Sequence, residues 1–257
     1  MKQTKLIMGM PISVEILDKF VSEIDFLKVF ALFSDIDDKF STYKKESEIS
    51  KFNNKELREN QLSQEVLHII SLSKVAKEKT NGYFNIYNDG KMDPSGIVKG
   101  YAILKAQKLL RSLNFQNFYI NAGGDIVANG KNFHKLPWRV GIKNPFDQEK
   151  LIKILSISNL AVATSGLYIR GNHIYNPTNL NDYLDRVVSV TVVGKNIQDA
   201  DVFATAAFAM QEKGIYFLEK LKGYEGYVVD KNGIATKTSQ FEKYVYNQRV
   251  VANNYLS

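Results

Sequence analysis

The sequence predicts an α+β fold with mixed helices and largely antiparallel sheets, and three observations carry that prediction. Asp18 to about Phe40 and Ser63 to Asn81 bear apolar residues at helical spacing. The second half breaks into short β-branched runs punctuated by Gly, Asn and Pro, of which Arg186–Val193 is the strongest. Helices and strands mix without strict alternation. At 257 residues the chain has room for a sizeable core, and residues 1–257 read as a single domain, with two sub-lobes and a site between them as the finer division.

In chain order, Leu6–Leu17 alternates weakly and reads as a strand interrupted near Gly9 and Pro11. The long amphipathic helix that follows carries Phe20, Ile24, Leu27, Phe30 (or Ala31) and Phe33 at helical spacing, and Ser47–Asn53 is expected to be a polar connection. Ser63 opens a second helix, with Val66, Leu67, Ile70 and Val75 inward, that stops at Asn81-Gly82. Residues 82–100 are loop-rich, with turn signals at Asn88-Asp89-Gly90 and Asp93-Pro94, and a helix runs from about Ile97 to Leu113. Strands are expected at Phe118–Asn121, Ile126–Ala128, Trp138–Ile142, Leu151–Ile157 and Leu160–Ala163, with Thr164-Ser165-Gly166 closing the last. After a short strand or turn at His173–Pro177 and the strand Arg186–Val193, an Ala-rich helix covers Asp199–Met210 and a short one Gly214–Leu221. Tyr227–Asp230 and Ile234–Lys237 form a hairpin across Lys231-Asn232-Gly233.

Composition narrows the chemistry. Hydrophobic residues make up 44% and charged ones 24%, ordinary globular values. The net charge of +7 is spread along the chain, with a small group at Lys74, Lys77 and Lys79 on a solvated helix face. Such a field favours phosphorylated small molecules or acidic protein surfaces, and no basic-aromatic motif argues for nucleic acid. Without cysteine, disulfides, zinc-thiolate sites, a catalytic thiol and a lipid-modified cysteine are excluded. No stretch is apolar enough to insert in a membrane, and the N-terminus as written is no signal peptide, so a cytoplasmic location is the expectation unless an export segment has been trimmed.

Four runs carry chemistry. In Asp199–Met210, Asp201 and Thr205 lie four apart, on one helical face, as a carboxylate and hydroxyl suited to a hard cation that shares its ligands with phosphate. The same residues also read as helix caps at Asp199 and Asp201 and a hydroxyl bonded to the previous turn. Asp93-Pro-Ser-Gly-Ile-Val-Lys-Gly100 sets a carboxylate, a turn and Lys99 at a helix start, where backbone N–H groups suit an anion; the spacing is not that of a Walker loop. Asn121-Ala-Gly-Gly-Asp125 suits close approach of a ligand to bare backbone, or a bulge. His173, ahead of Ile174-Tyr175-Asn176-Pro177, is a catalyst or an ordinary surface histidine.

These pieces occur in one order: Met8-Gly-Met10, Ser41-Thr-Tyr43 with Ser47-Glu-Ile and Phe52-Asn53, Gly82-Tyr-Phe84, DPSGIVKG, NAGGD, ATSG, HIYNP and DADVFATA. The series, from Met8 to about Met210, resembles the ApbE family, the FAD:protein FMN transferases. The resemblance implies an ApbE-like (T-fold-like) catalytic domain that splits FAD at its pyrophosphate with Mg²⁺. It further implies that the FMN half is joined to a Ser or Thr hydroxyl of an acceptor flavoprotein and AMP is released. By motif, Asp201, Thr205 and the Gly96 carbonyl match the Mg²⁺ ligands. Met8, Tyr43, Tyr83, Phe84, Asn85, Asp93 and Lys99 match the FAD site, with Gly123, Gly124, Thr164 and Ser165 grouped with them, and Tyr43, Tyr83 and Phe84 suit a sandwich around a flavin or adenine ring. His173 and Asp93 stand as candidate bases for the incoming hydroxyl.

The chain departs from the family pattern at three asparagines: Asn85 and Asn176 stand where Asp is usual, and Asn179 where Gly is. The stretch from Gly82 to Asp93 is also shorter than in typical members. Two alternatives follow: an FAD pyrophosphatase giving FMN and AMP, and a catalytically silent flavin-binding protein.

Overall fold

The computed structural model describes residues 1–166 and 174–247. In chain order the strands are β1 (Lys2–Ile7), β2 (Met10–Ile16), β3 (Tyr87–Asn88), β4 (Lys91–Met92), β5 (Phe118–Ala122), β6 (Asp125–Asn129), β7 (Trp138–Asn144), β8 (Asp147–Ile157), β9 (Leu160–Gly166), β10 (Val187–Gly194), β11 (Tyr224–Asp230) and β12 (Ala235–Lys237). The helices are α1 (Glu23–Phe40), α2 (Glu48–Asn53), α3 (Gln64–Lys79), α4 (Ser95–Ser112), α5 (Ile197–Ala209) and α6 (Gly214–Glu219). None of them is long and apolar enough to cross a membrane.

One antiparallel sheet of eight strands, ordered β1-β2-β5-β6-β9-β10-β11-β12, separates two apolar layers. The period of two along each strand decides which residue serves which layer. Val127, Ala161, Ala163, Val190, Val192 and Val228 face the helices, while Ile126, Ala128, Val162, Val193, Tyr227 and Val229 face the β7–β8 hairpin, with Trp138, Leu155 and Phe241. Covering both faces explains why β6, β10 and much of β9 are buried almost without a break rather than in alternation, with Ser189 and Thr191 enclosed among the valines of β10.

Four local expectations are corrected. Leu6–Leu17 is not one interrupted strand but a hairpin, because Met8 (φ 56°) and Gly9 (φ 68°) form a tight left-handed turn whose twist suits strand reversal. The first helix begins at Glu23, not Asp18, because Ser22 caps it: Asp25 Oδ2 accepts the Ser22 N–H at 3.0 Å. Its buried face is Phe26, Val29, Phe30, Phe33, Ile36 and Phe40, so Ile24 and Leu27 face solvent and Phe20 is 97% exposed. Ser47–Asn53 is helical, since Ser47 Oγ caps by accepting the Ser50 N–H at 3.0 Å and Ile49 is buried against the core. In α3, capped by Ser63 as expected, Ile69 and Ala76 join Val66 and Ile70 inside, while Val75 is exposed.

Candidate functional site

The site is built where α4 and α5 cross. A Cβ at Gly100 would lie 2.7 Å from Gln198 Cα and 3.1 Å from Asp201 Cβ, so only a glycine allows so close a crossing. The contact lets the Gly100 N–H donate to Asp201 Oδ2 at 2.9 Å. The N-terminus of α5 is capped by Asn196, whose Oδ1 accepts the Gln198 N–H at 2.9 Å, rather than by Asp199 or Asp201. Asp199 instead accepts the Tyr224 hydroxyl at 2.9 Å, which ties α5 to β11. Asp201, 2% exposed, is thus released from capping and points at α4.

Charge gathers at this crossing. Lys99 Nζ lies 2.8 Å from Asp125 Oδ2 and 3.4 Å from Asp201 Oδ1. Asp125 Oδ1 accepts the Thr164 N–H at 3.0 Å, joining the sheet to the cluster. One turn beyond Asp201, Thr205 Oγ1 sits 3.3 Å from Ser165 Oγ, and a Cβ at Gly96 would lie 3.8 Å from Thr205 Cγ2. At the start of α4, Asp93 Oδ1 accepts the Ser95 N–H at 3.0 Å.

Ten of the residues singled out in the sequence line one cleft: Tyr83, Phe84, Asn85, Asp93, Gly96, Lys99, Thr164, Ser165, Asp201 and Thr205. Phe84 is buried, its ring edge against Gly96, and so forms wall rather than an open stacking face. Four others lie elsewhere. Tyr43 is 94% exposed, and Met8 occupies the β1–β2 turn. Gly123 (φ 59°) and Gly124 (φ 99°) make the two-residue β5–β6 turn and border a separate hollow beneath β7–β8, which Thr164 also borders. Thr164-Ser165-Gly166 continues β9 instead of closing it in a turn. His173 lies outside the described residues.

Three residues at the site do not stand out in the sequence. Asp125 and Ser95 sit in runs whose signal is the glycines and the turn, and Asp125 reaches the cleft through Lys99. Tyr175 lines the cleft and donates its hydroxyl to the Tyr87 carbonyl at 3.2 Å, and burial holds its pKa above the ordinary tyrosine value. The substituting asparagines have local work. Asn85 Oδ1 accepts the Tyr87 N–H at 3.2 Å and its Nδ2 donates to the Tyr87 carbonyl at 3.0 Å. Asn176 Oδ1 accepts from both the Thr178 N–H and hydroxyl, and Nδ2 donates to Asp182 Oδ2 at 2.9 Å. That amide, with Arg186, holds the Asp182 carboxyl below its usual pKa.

The donor chemistry suits a hard cation that a ligand helps to hold. Among the described residues no group of three or more His, Asp or Glu forms a metal cage. One carboxylate, the hydroxyls of Thr205 and Ser165 and the Gly96 carbonyl are all oxygen donors, a set Mg²⁺ accepts when water and phosphate complete it. In a regular helix the Gly96 carbonyl would take the Gly100 N–H; here that N–H also serves Asp201, so the bond is at best shared.

The model of the ApbE family matches residues 8–90 and 87–228, and the two stretches meet at the β3–β4 hairpin, inside the segment expected to be short. A protein named FAD:protein FMN transferase from Vibrio cholerae is 35% identical over 138 residues, covering 50% of this chain and 41% of that relative. Another of the same name from Escherichia coli K12 is 25% identical over 170 residues, covering 62% and 48%. The matched stretches thus span less than half the length of these relatives. Among solved structures, the flavin transferase ApbE of Vibrio cholerae superposes with a TM-score of 0.83 at 23% identity, covering 95% of this chain and 98% of that one. The ApbE protein of Thermotoga maritima gives 0.85 at 21% identity, covering 96% and 99%. At such identity these likenesses establish the α+β fold.

Proposed function

Because the chain belongs to the ApbE family, we propose that it is a magnesium-dependent enzyme that takes FAD, transfers FMN to a Ser or Thr hydroxyl of an acceptor flavoprotein, and releases AMP. The observation that carries this reading is the convergence of Asp201, Thr205, Ser165 and Lys99 on one cleft at the start of α4. Asp201, Thr205 and the Gly96 carbonyl would hold Mg²⁺, which when bound neutralises charge on the diphosphate. Lys99 contributes a second positive charge to the same phosphates, and the first N–H groups of α4 add oriented dipoles. Tyr83 and Asn85, which line the cleft, would meet the flavin half, with Phe84 and Tyr175 as wall behind it.

The incoming hydroxyl needs a base to remove its proton. Asp93 lines the cleft, and His173 directly precedes Ile174 and Tyr175, which line it too. We assign the proton to one of these two. Incubation with FAD, Mg²⁺ and candidate acceptors, followed by in-gel flavin fluorescence, tests the reading. Failure to label any acceptor, with Asp201→Ala indistinguishable from wild type, rejects it.

A second reading, hydrolysis of FAD to FMN and AMP, is favoured by one observation: the rim hairpin is only two residues per strand, β3 and β4, and gives little cover against water. AMP release at full rate without an acceptor would select it.

A further inference from the structure

Lys99 is the centre of a charge cluster that the transfer chemistry does not by itself explain. Its ammonium lies between two carboxylates that are almost wholly buried, with side-chain exposures of 1% for Asp125 and 3% for Asp201. Neither carboxylate is at liberty to turn. Asp125 is fixed by the Thr164 N–H of β9, and Asp201 by the Gly100 N–H of α4. Lysine, on a four-carbon stem, is the mobile member of the trio.

The oxygens matter. Asp201 Oδ2 accepts the Gly100 N–H, so Oδ1 is the oxygen best placed to meet a cation in the cleft, and Oδ1 is the one Lys99 faces at 3.4 Å. Two positive groups at one buried oxygen repel each other strongly. Asp125, at 2.8 Å against 3.4 Å for Asp201, is already the ammonium's closer partner and can hold it alone. A buried carboxylate left without a counter-charge is costly, so each contact has value when the other cation is absent or present.

We propose that Lys99, shared between Asp125 and Asp201, gives up its hold on Asp201 to an arriving divalent ion, and that Asp125, already its nearer partner, is the positioning residue that retains the ammonium. The inference rests on the reading above that a divalent ion binds at Asp201, and deepens it. The trio carries a formal charge of −1 alone and +1 with the ion in place, and the positive state is the one that then faces a diphosphate. Divalent-ion binding and the orientation of Lys99 are therefore one event.

The test titrates Mn²⁺ alone, without FAD or acceptor, by electron paramagnetic resonance into wild type, Lys99→Met, Asp125→Asn and the double variant. Lys99→Met should bind Mn²⁺ about tenfold tighter than wild type, because a competing charge is gone from a desolvated carboxylate. Asp125→Asn should bind about tenfold weaker, since the ammonium then has only Asp201. Adding Lys99→Met to Asp125→Asn should recover the lost affinity. A merely structural role for either residue does not produce tighter binding. Lys99→Met binding no better than wild type overturns the proposal while leaving the metal reading intact; no Mn²⁺ binding by wild type or Lys99→Met overturns both. Should Lys99→Met alone fail to fold, the double variant against Asp125→Asn decides: no gain in affinity overturns the proposal.

Discussion

Replacing Gly100 with alanine sets two effects of opposite sign against each other. In a helix interior Ala is better than Gly by about 1 kcal/mol, so propensity alone makes Gly100→Ala stabilising. The new methyl, however, lands 2.7 Å from Gln198 Cα, a backbone atom that no rotamer change removes. Restoring ordinary contact requires α4 and α5 to part by about 0.7 Å, and overpacking of this kind costs about 1–3 kcal/mol. The same separation stretches the hydrogen bond from Gly100 N–H to the Asp201 carboxylate, a charged bond contributing about 1.5–3 kcal/mol. The net expectation is a loss of about 2–4 kcal/mol, which for a chain of this size lowers the melting temperature by about 5–15 °C. Urea and thermal unfolding followed by circular dichroism measure it. Because Asp201 moves with α5, FAD turnover should fall further than stability does. A variant that melts above wild type and turns over FAD normally would show that helix propensity governs here and that the close crossing is not what sets Asp201.

Three further perturbations separate roles within the cleft and its supports. Thr205→Val keeps the volume and deletes the hydroxyl near Ser165, so stability should stay within about 1 kcal/mol while Mg²⁺-dependent turnover falls about a hundredfold or more; unchanged turnover removes Thr205 from the proposed ligands. Glu65 accepts from Lys39 and Lys105 at 2.6 Å and from the Tyr101 hydroxyl at 2.9 Å; burial opposes the effect, but the three partners bring its pKa down to about 2. A depressed folded-state pKa means this stability is full above the unfolded carboxyl's pKa near about 4.3 and lost as pH falls toward about 2. Glu65→Gln should therefore cost about 1–3 kcal/mol at pH 7, discounted for partial exposure, and flatten the acid limb of the stability profile; an unaltered limb places acid sensitivity elsewhere. Asn176→Asp should destabilise by about 1–2 kcal/mol at pH 7, since it sets a second carboxylate against Asp182 at 2.9 Å, and the loss should shrink in acid as one of the pair takes a proton; equal stability at both pH values contradicts it.

Local chemistry announced much of this fold. Ser63, Asn81-Gly82 and Lys231-Asn232-Gly233 each state a boundary by their own conformational preferences, and the structure obeys them. The first helix misleads because its sequence holds two apolar stripes, and only the cap at Ser22 and the sheet opposite select the Phe26–Phe33 stripe over Ile24 and Leu27. The break expected near Gly9 and Pro11 falls at Met8-Gly9 and is a full reversal of the chain, while Pro11 sits within β2. In the cleft, Asp201 and Thr205 were legible from a four-residue spacing, because a helix converts that spacing into proximity. Asp125 was not legible as a charge partner. Its lysine is 26 positions away on α4, and no local pattern links a carboxylate at a strand start to a helix that tertiary packing brings alongside.

The asparagine departures take on a different meaning once the geometry is known. If Asn85 and Asn176 marked the loss of catalytic charge, the cleft should be depleted of carboxylates where the phosphates would lie. It is not: Asp93, Asp125 and Asp201 all stand at or beside the α4–α5 crossing, each held by a backbone N–H. Asn85 spends its amide on both backbone groups of Tyr87, fixing the entry into β3, a task that needs a donor and an acceptor on one side chain and that a carboxylate cannot perform. Asn176 likewise accepts from Thr178 and donates to Asp182, so an aspartate here would meet a like charge six residues on. Both asparagines therefore serve local turn chemistry, and they leave the charged cluster at the helix crossing whole. An intact cluster favours the proposed enzyme over a silent binder, because it is the cluster that would bear on the diphosphate of the proposed substrate.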